Sequence, residues 1–119
     1  MNDLPARRAS LQTIALVASY VPRQCGIATF TKDLRDAMAE EIGQRNVTVL
    51  AIDDIAGGYP YPDEVRLQVP QHRQADYTTA AELLNINQVD VAVIQHEFGL
   101  FGGRDGSHVL DLVRLLRIR

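Results

Sequence analysis

The sequence predicts an α/β fold with a Rossmann-like, doubly wound parallel sheet. Three observations carry this expectation. Short aliphatic runs, Ile14 to Ser19, Val47 to Ile52 and Val91 to Ile94, are separated by segments with helical spacing. Strands that alternate with helices form parallel sheets. The first and last of these runs are apolar almost throughout, as strands covered on both faces are. Punctuating residues also fall at the junctions, Pro22 and Gly26 after the first run and four glycines between Phe98 and Gly106 after the last.

Residues 1–12 read as a flexible leader, and 13–119 as one domain. After the first strand, Thr29 or Thr31 is the expected helix cap, with Asp33 in the first turn. Ile27, Phe30, Leu34, Ala37, Met38 and Ile42 recur at helical spacing and predict one buried face, and Gly43 ends the helix. The second strand is β-branched and aliphatic. A long loop follows, with Asp53-Asp54 and then Gly57-Gly58-Tyr59-Pro60-Tyr61-Pro62. Val65 to Val69 alternates apolar and polar residues and predicts a half-exposed strand. Asp76 is the expected cap of a second helix with Tyr77, Ala80, Ala81 and Leu84 inward and Asn85 and Asn87 at its end. Ser107 is the expected cap of a final helix that buries Val109, Leu110, Val113 and Leu116. That helix reaches the last residue without a cap or polar tail, so the chain reads as a fragment cut after a third crossover.

The chain has 119 residues, 46% hydrophobic and 23% charged, which suits one globular core. A net charge of −3 offers no broad basic field for nucleic acid. No apolar run approaches the roughly 20 residues that span a bilayer. The single cysteine, Cys25, forms no internal disulfide, and a cytoplasmic, reducing compartment is the expectation. Membrane contact is left open.

The two loops after the first and last strands hold the candidate chemistry. In open α/β sheets, ligands bind beyond the carboxyl ends of the strands. Gly26 exposes bare backbone at a helix start, where the N–H groups of Ile27 and Ala28 suit a phosphate or sugar oxygen. The competing reading is a tight left-handed turn with no ligand. A dinucleotide fingerprint G-x-G-x-x-G is absent, so Asp53 only weakly resembles a ribose-binding acid. Cys25 reads either as a nucleophile at a helix start or as a small buried residue. His96 ends the last strand, where an imidazole can hold a sugar hydroxyl or act in acid/base chemistry. Glu97 beside it points to the opposite face. His72 and His108 have no partners at metal-ligand spacing, and no metal site is expected. The segment from Phe98 to Gly106 reads as a loop that closes over a ligand or as a long connector. The Tyr-Pro-Tyr-Pro segment reads as a sugar-stacking surface or as a stiff turn.

Taken together, the segments Tyr20 to Leu34 (YVPRQCGIATFTKDL) and Gln95 to Gly103 (QHEFGLFGG) resemble the N-terminal domain of GT-B glycosyltransferases. More narrowly they are similar to the retaining, family-4-like group that includes mannosyltransferase-like enzymes. The resemblance covers residues 13–119. It implies transfer of a hexose from a nucleotide sugar to a saccharide or other hydroxyl acceptor, with retention of configuration and no other cofactor. By position it places Gly26 and Ile27 against the donor diphosphate and the acceptor, and His96 as the catalytic contact to the transferred sugar. Glu97, Phe98 and Gly99 complete the second motif, with no catalytic role assigned to Glu97. Gly102, Gly103 and Asp105 match a loop that faces the cleft and donor. The family's second domain, with its E-x7-E segment, has no counterpart here. The isolated chain is therefore expected to be inactive. The alternative is a non-catalytic α/β module that binds a sugar or nucleotide.

Overall fold

A computed structural model of the protein describes residues 13–118, so the expected leader lies outside the described residues. Four strands and three helices follow one another as β1 (Ile14–Ala18), α1 (Gly26–Ile42), β2 (Val47–Asp53), β3 (Val65–Pro70), α2 (Gln74–Ile86), β4 (Val91–Ile94) and α3 (His108–Leu115). Single 3₁₀ turns precede β2 and α3. The strands form one all-parallel sheet in the order β3-β2-β1-β4. This order is compatible with the first half of a Rossmann-like sheet.

β1 is the pivot. Ile14 pairs with Val47 on one side and Val91 on the other, and Val17 with Leu50 and Ile94. Side-chain alternation divides the core between two faces. Ala15, Val17, Leu50, Ile52 and Val69 pack beneath α2 and α3, while Leu16, Val47, Val49 and Ala51 pack beneath α1. β4 departs from the fully covered strand that its composition predicts. It is one edge of the described sheet, half-buried along its length, with Val91 exposed. Its aliphatic residues have strand neighbours on one side only, so backbone pairing covers just one flank.

α1 starts earlier than its threonines suggest. Cys25 is its cap, with an extended backbone and an Sγ that accepts from Ala28 N–H at 3.4 Å. Thr31 lies inside the helix and donates to the Ile27 carbonyl at 2.7 Å. Asp33 falls beyond the first turn for the same reason. The buried stripe is Ala28, Thr31, Arg35 and Ala39, with Leu34, Met38 and Ile42 flanking it. Phe30, expected inside, is 55% exposed, and Ala37 is also on the outer side. Small residues at 28, 31 and 39 let the helix approach the sheet closely, which rotates Phe30 outward. Arg35 is tolerated inside because its guanidinium donates to the Val47 carbonyl (3.1 Å), the Gln44 carbonyl (2.7 Å) and Gln44 Oε1 (2.9 Å). A buried charge needs such satisfied bonds.

A second polar cluster joins α1 to the turn before β3. The buried Tyr20 hydroxyl donates to Glu64 Oε2 at 2.7 Å, and Lys32 Nζ reaches the same oxygen at 3.0 Å. Burial alone raises the Glu64 carboxyl, but the donors Tyr20 and Lys32 outweigh it, and the group sits below the ordinary glutamate range.

On the opposite face, α2 buries Tyr77, Ala80, Ala81 and Leu84, as its periodicity predicts. Its cap position is Arg73, with Asp76 inside the first turn. Asn87 closes α2, whereas Asn85 serves α3: its Nδ2 donates to the Leu115 carbonyl at 2.8 Å and its Oδ1 accepts from Arg117 N–H at 2.7 Å. α3 buries Val109 and Leu112, and Leu116 packs partly against the same core. Leu110 and Val113, expected inside, are about half exposed, and Ser107 makes no side-chain cap bond. The helix is short and touches α2 along one line, so only one residue per turn is covered.

These placements set a stability test. Leu112→Ala is expected to cost about 3 kcal/mol through the cavity it leaves, while Leu110→Ala stays within about 0.5 kcal/mol. Urea unfolding of both variants checks the pair, and equal losses contradict the burial described here.

Candidate functional site

β1 and β4 are parallel neighbours, so the loops that leave their carboxyl ends start side by side. From β1 the chain turns to one side of the sheet to build β2 and β3, and β4 returns on the other side. That reversal is the topological switch point where doubly wound folds bind ligands.

The loop after β4 continues the strand's alternation for two residues. Gln95 N–H donates to the Val17 carbonyl at 3.0 Å, and its side chain reaches Thr31 Oγ1 of α1 at 3.5 Å. His96 turns to the other face. Its ring lies against the buried Phe101, with centroids 5.5 Å apart. A cavity of about 270 Å³ opens beside it, walled by Gln71, His72, Phe98 and Asp105 among others; Glu97, expected on the opposite face, lines it too, because the strand has ended at Ile94 and its alternation no longer holds. An imidazole, an amide and carboxylates facing one space suit the hydroxyl groups of a polar ligand. Phe98 is almost fully exposed at its rim.

Two of the glycines in this loop have reasons of their own. Gly102 is buried, and a Cβ there would lie 1.9 Å from the Gln71 carbonyl oxygen, an impossible approach for any side chain. The loop is held at that distance by Tyr77, whose hydroxyl donates to the Gln71 carbonyl (2.8 Å) and accepts from Gly102 N–H (3.2 Å). Gly102 thus seats the loop on the β3–α2 turn. Gly103 adopts a φ of 83°, in the region glycine favours, and lines the His96 cavity with Asp105.

Gly26 differs from both. It begins α1 with φ outside the left-handed region, and a Cβ added to it meets nothing within 4 Å. A left-handed turn does not account for this glycine, and neither does packing. Ala28 N–H goes to Cys25 Sγ and Thr29 N–H to the Cys25 carbonyl. Among the described residues no acceptor meets the N–H groups of Gly26 and Ile27, which form the positive end of the helix. The Ile27 side chain is half-buried against the core, so only its backbone faces outward. Cys25, half-buried, is 3.3 Å from Ser19 Oγ and serves as the cap.

The described residues therefore divide the expected site. His96, Gly103 and Asp105 share a cavity. Gly26 and Ile27, at the start of α1, contribute no wall to it, although the Ile27 side chain packs on the same core cluster as Phe101.

A third group at this end of the sheet was half visible in the sequence. Asp53, 4% exposed, accepts a hydrogen bond from the Tyr61 hydroxyl at Oδ1. Tyr59 donates to Asp54 at 2.6 Å, and the two tyrosine rings meet edge-on at 5.8 Å. Arg23, from the loop after β1, pairs with Asp54 at 3.6 Å and donates to the Ile52 carbonyl at 3.4 Å. The Tyr-Pro-Tyr-Pro segment is thus folded back onto the strand end. Burial raises the Asp53 carboxyl, the Tyr61 bond lowers it, and neighbouring Asp54 raises it again; the net position is above the ordinary aspartate range. Burial and then Asp53 push the Tyr61 hydroxyl far above its usual value. The sequence signal was the pair of tyrosines a few residues after a strand-end carboxylate, but nothing local says they fold back.

Among the described residues, no group of three or more His, Cys, Asp or Glu side chains is placed to hold a metal ion, and no helix is long and apolar enough to cross a membrane. Comparisons with protein-family models, curated proteins and solved structures give no match.

Two measurements test these assignments. Gly102→Ala is expected to lose about 2 kcal/mol by overpacking the loop, whereas Gly26→Ala stays within about 0.5 kcal/mol of the parent. Asp53 and Glu64 titrate with opposite sign. The raised Asp53 contributes most at low pH, and its contribution declines as pH rises from the ordinary aspartate range through its folded-state value. The lowered Glu64 contributes above the ordinary glutamate range and loses this as pH falls through its folded-state value. Stability of Asp53→Asn relative to the parent should accordingly improve with rising pH, and that of Glu64→Gln should worsen. Urea midpoints across the acid range read both slopes, and a reversed slope contradicts the assigned environment.

Proposed function

We propose that the chain forms one wall of a GT-B-type, retaining hexosyltransferase site. The observation that carries the reading is the pairing of β1 with β4, which brings both family-like loops to the switch point of the sheet. Three features support it. The unblocked Gly26 and Ile27 backbone at the positive end of α1 suits the oxygens of a donor diphosphate. The His96 cavity has room for sugar hydroxyls, with the imidazole positioned to hydrogen-bond one of them. Its amide and carboxylate walls suit a neutral, hydroxyl-rich group better than a second phosphate. In this reading His96 touches the transferred hexose and the start of α1 faces the diphosphate. The acceptor approaches from the open side, and a second domain supplies most contacts to the nucleotide. No step calls for a metal.

The test is an assay of hexose transfer from a panel of nucleotide sugars by the polypeptide encoded by the whole reading frame that contains this chain. His96→Ala should lower kcat/KM about 100-fold, the range lost with a positioned acid/base or hydrogen-bonding group. Gly26→Val should also lower it while the fold persists, because its side chain enters space that is open in the free chain. Absence of transfer from every donor, or unchanged turnover in both variants, overturns the reading.

A further inference from the structure

A second cavity, of about 410 Å³, lies at the carboxyl ends of β2 and β3, with Asp53, Ile55, Gly57, Gln68, Pro70 and Arg73 among its walls. It shares no described wall residue with the His96 cavity. Asp53 is the informative member. Its side chain is almost wholly buried, its Oδ1 is taken by Tyr61, and no described residue donates to Oδ2. No fully enclosed side-chain polar atom among the described residues lacks a partner, so Oδ2 is not sealed in, and Asp53 is a wall of this cavity. A buried carboxylate oxygen without a donor is costly unless a ligand or solvent supplies one.

The backbone of Gly58 packs close beside Oδ2. A Cβ there would stand 2.5 Å from Oδ2 and would also collide with Gln68 Oε1, so two acceptors converge where a side chain is missing. Gly58 holds a φ of 69°, which further restricts the position to glycine.

The wall chemistry selects the ligand. Asp53 opposes an anion. Arg73 on the same wall, and Arg23 near the strand end, oppose a cation. A neutral group that both donates and accepts fits: one hydroxyl donates to Asp53 Oδ2, and a neighbouring hydroxyl exchanges hydrogen bonds with the Gln68 amide and accepts from Arg73. Ile55, about half exposed, and Pro70 offer apolar surface for the C–H face of a ring. We propose that this cavity is a binding subsite for a neutral polyhydroxylated ligand, a sugar ring with adjacent hydroxyls, held by Asp53, Gln68 and Arg73. The site concerns binding alone and does not rest on the transferase reading.

The test is a two-dimensional amide NMR titration of the chain with D-mannose, D-glucose and D-ribose, with ethanolamine as a cationic control. Binding is expected to shift the amides of Gly57, Gly58 and Gln68. In Asp53→Asn the Tyr61 acceptor is kept and the hydroxyl acceptor is lost, and affinity should fall about tenfold, as for loss of one hydrogen bond to a charged group. Gln68→Leu, at an exposed side chain, should weaken binding as well and covers the case in which Asp53→Asn unfolds. Shifts confined to the His96 loop, parental affinity in both variants, or stronger response to ethanolamine than to every sugar overturns the proposal. The transferase reading survives any of these outcomes, because it is read through His96.

Discussion

β1 is hydrogen-bonded to β2 along one edge and to β4 along the other, and its side chains are packed on both faces. From Ala15 to Ala18 the strand has no solvent-facing side, so a polar residue there would lose its hydration without gaining a partner. The same placement decides where chemistry occurs. With β2 and β3 on one flank and β4 on the other, the loops after β1 and β4 part at the switch point, and the helices they feed cover opposite faces. The position of α1's positive end, of His96 and of the β2 carboxylates all descend from this one strand.

At the carboxyl end of the sheet, side-chain alternation governs function at the scale of single residues. Gln95 and His96 are consecutive, yet one reaches α1 and the other lies against Phe101 on the far face. The Asp53 group occupies a third position, over the ends of β2 and β3. Polar groups are concentrated here because the strand ends leave the core while their neighbours still exclude water. Each is held by a specific partner: Phe101 for His96, Tyr61 for Asp53, Arg23 for Asp54. The donors that remain open, at Gly26 and Ile27, and the open acceptor, Asp53 Oδ2, lie on different parts of this surface. They suit different portions of an extended ligand or two separate ligands.

Much of the architecture was legible because it depends on short-range patterns. The unbroken aliphatic run of β1, the alternation in β3, and the Tyr77, Ala80, Ala81, Leu84 stripe of α2 each report a face that the local backbone geometry presents. Errors arose where a neighbour distant in sequence decided. Phe30 belongs to the apolar period of α1, but the sheet accepts the small side chains beside it more closely. Arg35 looks like a surface residue until the Gln44 and Val47 carbonyls are placed around it. Asp76 has the chemistry of a cap but lies within the first turn of α2, and Cys25, a weak acceptor, takes the cap position in α1. β4 has the composition of a covered strand and an edge position.

The sequence by itself determined the α/β class, the parallel sheet and the two loops in which to look for chemistry, since periodicity and turn residues are properties of consecutive positions. Only the tertiary structure decided that Gly26 is open while Gly102 is packed to the limit, and that His96 lies against Phe101. It alone brought Tyr61 to Asp53 and left one carboxylate oxygen without a donor. These depend on which backbone lies across from which side chain, a matter of distances between residues far apart in the chain, and no local pattern encodes them.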